Sequence, residues 1–239
     1  MSKYKYLITA FICMILLSLC SCAGGGQNGI PAPPAPSPGQ SEAPAAAPGA
    51  SPATPPPQVE TSPETPPIAS GQVIITFDYV KQSGAASNQF AVWIEDMYGN
   101  FVKTLFATRW TTNGGYKNRP DSIALWVERS GLASMTKAEI DAISGASPRT
   151  DALNFVWDLT DAKDNAVSPG AYRFFVEGTL RWKNYVLYSG VIEVGDAAVT
   201  VAAEAEYIYE ASDKYAALTS DSPENAMIGA VTASFVLTE

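Results

Sequence analysis

The chain reads Val92-Trp93-Ile94-Glu95-Asp96-Met97-Tyr98-Gly99-Asn100-Phe101-Val102-Lys103-Thr104-Leu105. β-Branched and aromatic residues flank the tripeptide Tyr98-Gly99-Asn100, whose residue types favour a tight turn. A second stretch has the same plan, with apolar residues near Trp157 and Tyr172 and turn residues at 161–165 and 168–170. The two stretches therefore predict two β-hairpins.

The remainder of the chain beyond residue 70 has the same β-rich composition. Alternate positions are large and apolar, as at Val73, Ile75, Phe77 and Tyr79, and this period of two is typical of a strand with one buried face. The predicted strands cover residues 73–80, 89–95, 101–107, 153–158, 172–177, 185–194, 199–209 and 228–237. Short strands with tight turns predict an antiparallel β-sandwich, so the expected fold class is all-β with minor helical insertions.

Two short helices are expected between the hairpins. Pro120 stands where a first helical residue would, Trp126 belongs to an apolar face with spacings of three and four, and Gly131 lies beyond the end. Thr136 and Glu139 have the spacing of a capping box before residues 137–143. This second helix is expected to stop at 144–145.

The N-terminal residues are typical of an export signal. Lys3 and Lys5 precede an apolar run that is shorter than the ~20 residues needed to cross a bilayer. Ser21 and Cys22 then follow, and this end resembles the lipobox of bacterial lipoproteins. The resemblance implies a signal peptide at 1–21 and a lipid on the Cys22 sulfur, which would hold the protein at a membrane outside the cytoplasm, on the periplasmic side or at the cell surface. Cleavage before Cys20 and an uncleaved membrane anchor stay open as alternatives.

A composition change after the signal separates a linker from a domain. Residues 22–70 begin with the lipidated cysteine and continue as a stretch rich in proline and alanine, which has too little apolar surface to fold. Such a segment favours extended polyproline II conformations and would act as a spacer. Residues 71–239 contain all five tryptophans and are expected to form one β-sandwich domain.

Composition excludes several kinds of chemistry. The chain has no histidine, and its three cysteines are Cys13, Cys20 and Cys22. The folded part therefore has no imidazole or thiol for a zinc site, a disulfide or a serine–histidine or cysteine–histidine nucleophile. A formal net charge of −9 has the wrong sign for a nucleic-acid partner. An oxygen-only Ca²⁺ or Mg²⁺ site and carboxylate-pair catalysis stay open. We expect a non-catalytic protein with no metal site, in which Asp158, Asp161 and Asp164 are turn residues.

The hairpins also carry a family resemblance. Residues 92–105 and 157–172 are similar to the hairpins of the immunoglobulin-like domain in flagellar hook-capping proteins. From about Val73 to Gly195 the chain more closely resembles a family of predicted periplasmic proteins, domain-of-unknown-function family 2271. These resemblances imply an immunoglobulin-like β-sandwich in the cell envelope.

A further resemblance concerns Asp141-Ala142-Ile143-Ser144-Gly145-Ala146-Ser147. This heptapeptide resembles the acceptor motif of extracytoplasmic proteins that carry covalent flavin, in which a flavin transferase joins FMN to the last hydroxyl. The resemblance implies FMN on Ser147, with Asp141 and Ser144 shaping the acceptor turn and Gly145-Ala146 giving the transferase access. The same residues also read as the last turn of a helix closed by a glycine, and both readings stay open.

Two functions follow as expectations. With FMN, the protein would be an electron-transfer module between membrane reductases and outside acceptors, loaded by a flavin transferase. Without a cofactor, it would be an immunoglobulin-like binding or scaffolding module for an envelope protein or a glycan. Trp110, Trp126 and Trp182 could form a sugar-stacking platform for the second role, although core or interface positions explain them equally well.

Overall fold

The computed structural model describes residues 70–83, 87–211 and 213–238. The predicted signal peptide, the lipidated Cys22 and almost all of the predicted linker lie outside the described residues. These parts of the sequence analysis stay predictions.

The predicted strands overlap the observed ones, although β6 is longer than predicted and β10 is shorter. The strands are β1 (Gln72–Tyr79), β2 (Gln89–Asp96), β3 (Phe101–Thr108), β4 (Ser144–Gly145), β5 (Asp151–Trp157), β6 (Gly170–Arg181), β7 (Asn184–Val194), β8 (Val199–Ala202), β9 (Glu204–Ile208) and β10 (Thr232–Val236). The helices are α1 (Ala124–Ser130) and α2 (Lys137–Ile143). Short helical turns cover Thr111–Gly115, Tyr116–Asn118, Leu132–Ser134 and Pro223–Met227.

The strands form two sheets, ordered β5-β1-β10-β8 and β4-β3-β2-β6-β7-β9. The paired strands run antiparallel, except that the short β4 lies parallel to β3. The predicted β-sandwich with minor helices is confirmed.

The main core lies between the two sheets. On β1 the alternate residues Val73, Ile75, Phe77 and Tyr79 are buried, as the period of two predicts. From the six-stranded sheet, Phe90 of β2 packs in the same core cluster. Burial of this apolar surface is the dominant favourable contribution to the stability of the sandwich.

A helical layer covers the outer face of the six-stranded sheet, so β2 is buried on both faces. Ala91 and Trp93 of β2 pack in a second cluster with Trp126 of α1 and Phe175 of β6. The Trp93 and Phe175 rings are stacked with their centroids 4.9 Å apart. The two insertions expected from the sequence thus form a third layer of the fold.

Buried polar groups of β6 attach α1 to the sheet. The Glu177 carboxylate accepts the backbone N–H groups of Leu125 at 3.2 Å and Trp126 at 2.8 Å. The Thr179 hydroxyl oxygen accepts the N–H of Ile123 at 3.0 Å. Backbone N–H donors at the start of a helix have no acceptor within the helix. Here side chains of the sheet supply those acceptors.

The two predicted hairpins share one turn geometry, but only the first is a hairpin. β2 pairs with β3 around it, whereas β5 and β6, which flank the second turn, lie in different sheets. The Asp96 carboxylate accepts the backbone N–H groups two and four residues later, each at 2.8 Å. Asp161 does the same at 2.7 and 2.9 Å. The fourth residue of each turn, Gly99 or Asp164, has a positive φ of 84° or 61°, so the similar sequences give the same local structure.

The predicted start of the first helix was wrong. Pro120 precedes α1, and Ile123 is its N-cap residue with φ 43°. The left-handed region is costly for a β-branched residue, but Ile123 is fully buried and its N–H is bonded to Thr179. Tertiary packing therefore sets this boundary, while Gly131 ends the helix with φ 65° as expected.

The run 199–209 was predicted as one strand and is two. β8 pairs with β10 in the four-stranded sheet, and β9 pairs with β7 in the six-stranded sheet. The break is at Ala203, whose N–H donates to the carbonyl of Val231 at 2.9 Å. The chain crosses between the sheets here, and the alternating burial of β8 does not continue along β9.

Candidate functional site

Helix α2 leads into the candidate acceptor segment. Its predicted capping box is present, since the Thr136 hydroxyl accepts the Glu139 N–H and the Glu139 carboxylate accepts the Thr136 N–H. The exposed Asp141 on this helix pairs with Lys137 one turn earlier. Asp141 therefore lies on the helix surface, away from the residues that line the cleft described below.

Ser144 is the C-cap residue of α2, and its side chain bonds to the last turn of the helix. Its hydroxyl contacts the carbonyl of Ile140 at 2.5 Å and the hydroxyl of Thr112 at 2.6 Å. Its backbone is extended, with φ −92° and ψ 128°, and it begins β4. The helix stops at 144–145, as expected. Gly145 follows its C-cap but does not close it in a left-handed conformation, because it continues this strand against Thr108 of β3.

Gly145 has a packing reason to be glycine. A Cβ added at this position would lie 2.2 Å from Cε2 of Phe106. That ring has limited room to move, because it is stacked on Phe90 with a centroid distance of 4.9 Å.

We expect Gly145→Ala to lower the free energy of unfolding by about 1–3 kcal/mol, because the new methyl group displaces a packed ring. Gly195→Ala is the matched control, since nothing lies within 4 Å of its added Cβ, and it should change stability by less than about 0.5 kcal/mol. Urea unfolding of both variants measures the difference. Equal stabilities would show that the ring of Phe106 imposes no constraint at residue 145.

Ser147 lies in a cleft of about 510 Å³. Its half-buried hydroxyl donates to the backbone carbonyl of Asn88 at 3.0 Å. Pro148 follows, and a residue before proline favours extended backbone. The other residues that line the cleft are Arg109, Trp110, Asn113, Gly114, Gly115, Asn118 and Ala146.

A second cavity of about 450 Å³ adjoins the first. It is lined by Ser87, Gln89, Trp110, Asn118, Arg119 and Trp182. Trp110 and Asn118 belong to both linings, so the two cavities meet at these side chains. Trp110 is 46% exposed and offers an accessible ring to either one.

Arg119 and Trp182 fix each other at the far wall. The guanidinium donates to the backbone carbonyl of Trp182 at 3.2 Å and lies 5.5 Å from the centroid of its indole. Burial lowers the pKa of Arg119 to about 10, against the opposing effect of nearby Asp121. The side chain therefore stays cationic at neutral pH. Trp182 also stacks on Tyr215 with a centroid distance of 4.1 Å.

Comparison with protein-family models gives one match, to predicted periplasmic proteins (DUF2271) over residues 71–210. The chain belongs to this family. The matched residues of the DUF2271 region include both of the similar turns, the helical layer, the acceptor segment and the residues that line both cavities. No curated protein and no solved structure matches the chain.

The family match places the protein among predicted periplasmic proteins. Among the helices of the described residues, none is long and apolar enough to span a membrane. Within the same residues, no group of three or more acidic side chains is arranged to hold a metal ion. Asp158 and Asp164 instead pair with Lys103, each at 3.2 Å.

The DUF2271 structure brings some predicted site residues together and leaves others apart. Ala146 and Ser147 line the cleft, while Ser144 and Gly145 support it from β4. Of the tryptophans considered as a platform, Trp110 and Trp182 line one cavity. Trp126 is fully buried, so its inclusion in an exposed platform was wrong.

Sequence reasoning missed the polar side chains of the cleft. Arg109, Asn113, Asn118 and Arg119 follow β3 and lie close to Trp110 in the sequence. Two arginines within eleven residues of an acidic chain, next to an exposed tryptophan, were the available signal. Their connection to Ser147 depends on the parallel pairing of β4 with β3, which the sequence pattern does not indicate.

Proposed function

We propose that this protein is a lipid-anchored, extracytoplasmic electron-transfer module that carries FMN covalently on Ser147 and catalyses nothing by itself. The observation that carries the proposal is the position of the Ser147 hydroxyl. The last residue of the acceptor-like segment lines a cleft with one cation, two amides and an indole ring. Membership of a family of predicted periplasmic proteins supports the placement outside the cytoplasm.

The residues around Ser147 fit the chemical parts of FMN. Arg109 offers a positive charge for the phosphate, and the amides of Asn113 and Asn118 can bond to hydroxyl groups of the ribityl chain. Gly114 leaves open space, since nothing lies within 4 Å of a Cβ added there. Trp110 provides a flat apolar surface for the ring system.

Attachment would change one bond of the protein. An Oγ–P bond would replace the Oγ–H bond of Ser147. With a flavin adenine dinucleotide as donor, the P–O bond to AMP breaks, AMP leaves with the electron pair, and the serine proton passes to the medium. The hydroxyl would also give up its hydrogen bond to the Asn88 carbonyl, a cost on the order of 1 kcal/mol.

The bound flavin would supply the redox chemistry that this domain lacks, because the described residues contain no cysteine or histidine. The protein residues would hold the phosphate, orient the ring and limit its contact with water. A lipid on Cys22 and the proline-rich residues 23–70 would keep the domain at the membrane while letting it move between membrane reductases and outside acceptors.

The full-length protein, produced together with a flavin transferase, tests the proposal. We expect a fluorescent band on a denaturing gel and, by mass spectrometry, one FMN on the peptide that contains Ser147. Ser147→Ala should lose the adduct completely, because it removes the acceptor oxygen. Ser147→Thr is the matched control and should keep the adduct, because it keeps a hydroxyl at the same position.

An unmodified Ser147 peptide in the wild-type protein would reject covalent flavin. If Ser147→Ala carried the same modification, the acceptor would be a different residue. The first result would leave the cofactor-free binding module, for which the exposed ring of Trp110 is the supporting observation, as the function to pursue with glycan and envelope-protein binding measurements.

A further inference from the structure

The two cavities differ in the chemistry of their walls. The cleft at Ser147 is lined by glycines, asparagines and the exposed Arg109, a set suited to phosphate and hydroxyl groups. The adjoining cavity is lined by the indole of Trp110 and by Trp182, whose ring is packed against Arg119 and Tyr215. A ligand with a polar, anionic end and a flat aromatic end would match the pair of cavities, with the transition at Trp110.

The far wall of the second cavity is held in place on several sides. Trp182 has φ 50° in the turn between β6 and β7, and its ring is stacked on Tyr215 with an interplanar angle of 13°. Its carbonyl accepts from Arg119 at 3.2 Å. Such a wall needs little reordering when a flat ligand binds, which lowers the entropic cost of binding.

The floor of this cavity is also fixed. Oε1 of the buried Gln89 accepts the hydroxyl of Thr108 at 2.7 Å and that of Thr111 at 3.1 Å. Thr111 in turn contacts the hydroxyl of Ser122 at 2.8 Å. This buried network connects β2 and β3 to the turn that carries Trp110, so the position of that indole is set by the sheet beneath it.

We propose that Trp110, Trp182 and Arg119 form the binding site for the isoalloxazine ring of the flavin, an inference that rests on the proposed attachment of FMN to Ser147. Ser147 and Trp110 line one cleft, and Trp110 and Trp182 line the next, so the two cavities share Trp110 between the attachment point and Trp182. The volume of about 450 Å³ lies within the usual range for small-molecule sites.

Arg119 gives this site a function beyond holding the ring. A cation beside a flavin ring stabilises the negative charge that the ring gains on reduction. Arg119 is partly buried against Trp182, so its charge is less screened by water than that of an exposed side chain. The site therefore favours electron uptake by the bound flavin.

The test uses the full-length protein produced with a flavin transferase and compares flavin fluorescence per FMN in wild type, Trp110→Ala and Trp182→Ala. Intact mass first establishes that each sample carries one FMN. We expect wild-type fluorescence to be quenched several-fold relative to the same sample in denaturant, because indole rings in contact with a flavin quench it. Each tryptophan variant should recover several-fold fluorescence in the native state.

Tyr98→Ala is the matched control, since Tyr98 is an aromatic residue that is 92% exposed in the first hairpin. It should leave the quenching unchanged. Trp110→Phe distinguishes loss of the indole ring from loss of the fold, because it keeps an aromatic ring and should keep most of the quenching. Far-ultraviolet circular dichroism monitors the fold of every variant.

The outcomes separate this inference from the proposed function. The ring site is supported if both tryptophan substitutions relieve the quenching and Tyr98→Ala does not. An FMN adduct that fluoresces equally in native and denatured wild type, or equally in wild type and Trp110→Ala, overturns the ring site and leaves the covalent attachment standing. Absence of any adduct in wild type overturns both.

Discussion

Replacement of Phe90 by alanine is expected to lower the free energy of unfolding by about 3–5 kcal/mol. The Phe90 side chain is fully buried between the two sheets. Its ring centroid lies 5.7 Å from that of Phe77 and 5.3 Å from that of Tyr79, both on β1. On its own sheet it is stacked on Phe106 at 4.9 Å. The substitution removes one of the rings through which the two sheets make aromatic contact and leaves a cavity.

Urea unfolding followed by tryptophan fluorescence measures this effect. Tyr98→Ala removes an aromatic ring of similar size from an exposed turn and should change stability by less than about 0.5 kcal/mol. Phe90→Leu keeps an apolar side chain and should retain more stability than Phe90→Ala. A loss below about 1 kcal/mol for Phe90→Ala would contradict the central place given to this ring.

Loss of Phe90 should also affect the candidate site. The Phe106 ring lies between Phe90 and the backbone of Gly145. Without the stack on Phe90, the Phe106 ring keeps its contact with Phe155 of β5 but has more room to shift away from β4. The Ser144-Gly145 pairing with β3 is then less well supported. Residues 144–147 should therefore gain hydrogen exchange in Phe90→Ala before the domain unfolds globally.

The strands could be predicted because burial alternates along them, as on β1 from Val73 to Tyr79. On β2 the alternation fails, since every residue from Gln89 to Ile94 is buried. The sequence shows the apolar run there, but it does not show that Phe90 and Trp93 face different layers. That division depends on the helical layer, whose contacts with the sheet are separated widely along the chain.

The helices were predictable only where local chemistry decides their ends. The capping box of Thr136 and Glu139 and the left-handed Gly131 are local devices, and both are present. The start of α1 depends on the Glu177 carboxylate and the Thr179 hydroxyl, which lie about fifty residues away on β6. No local pattern around Pro120 could have revealed them.

The candidate site shows the same division. The segment ending at Ser147 could be found from the sequence, because it is a continuous motif. Its cleft could not, because Arg109 and Trp110 come from the turn after β3, and Trp182 comes from the hairpin between β6 and β7. Only sheet pairing brings these side chains together.

The stability of the domain is expected to fall by about 3 kcal/mol between pH 4.5 and 7 because of Glu177. Burial raises the pKa of this carboxyl group from 4.5 to about 7, although the backbone N–H groups of Trp126 and Leu125 oppose the shift. In this pH window the folded state holds a proton that the unfolded state has lost. Each rise in pH therefore favours unfolding until Glu177 ionises in the folded state near pH 7.

Glu177→Gln isolates this effect, because glutamine does not titrate and still offers one oxygen to the two N–H donors of α1. We expect the variant to be less stable than wild type at pH 5, by about 1–3 kcal/mol for the lost acceptor, with a much smaller change between pH 5 and 8. Glu128→Gln, on the exposed face of the same helix, should keep the wild-type pH dependence. Urea unfolding at both pH values measures all three proteins.

The direction of the pH effect distinguishes Glu177 from the other carboxyl groups. Hydrogen bonds lower the pKa of Asp161 and Glu139, so their contribution to stability is lost as the pH falls below about 4. The Glu177 contribution is lost in the opposite direction, as the pH rises. If wild type and Glu177→Gln lost equal stability between pH 5 and 8, the buried carboxyl group would not be the cause. If only wild type loses stability, the ionisation of Glu177 on β6 is the cause, and it acts where this side chain holds the start of α1 on the sheet.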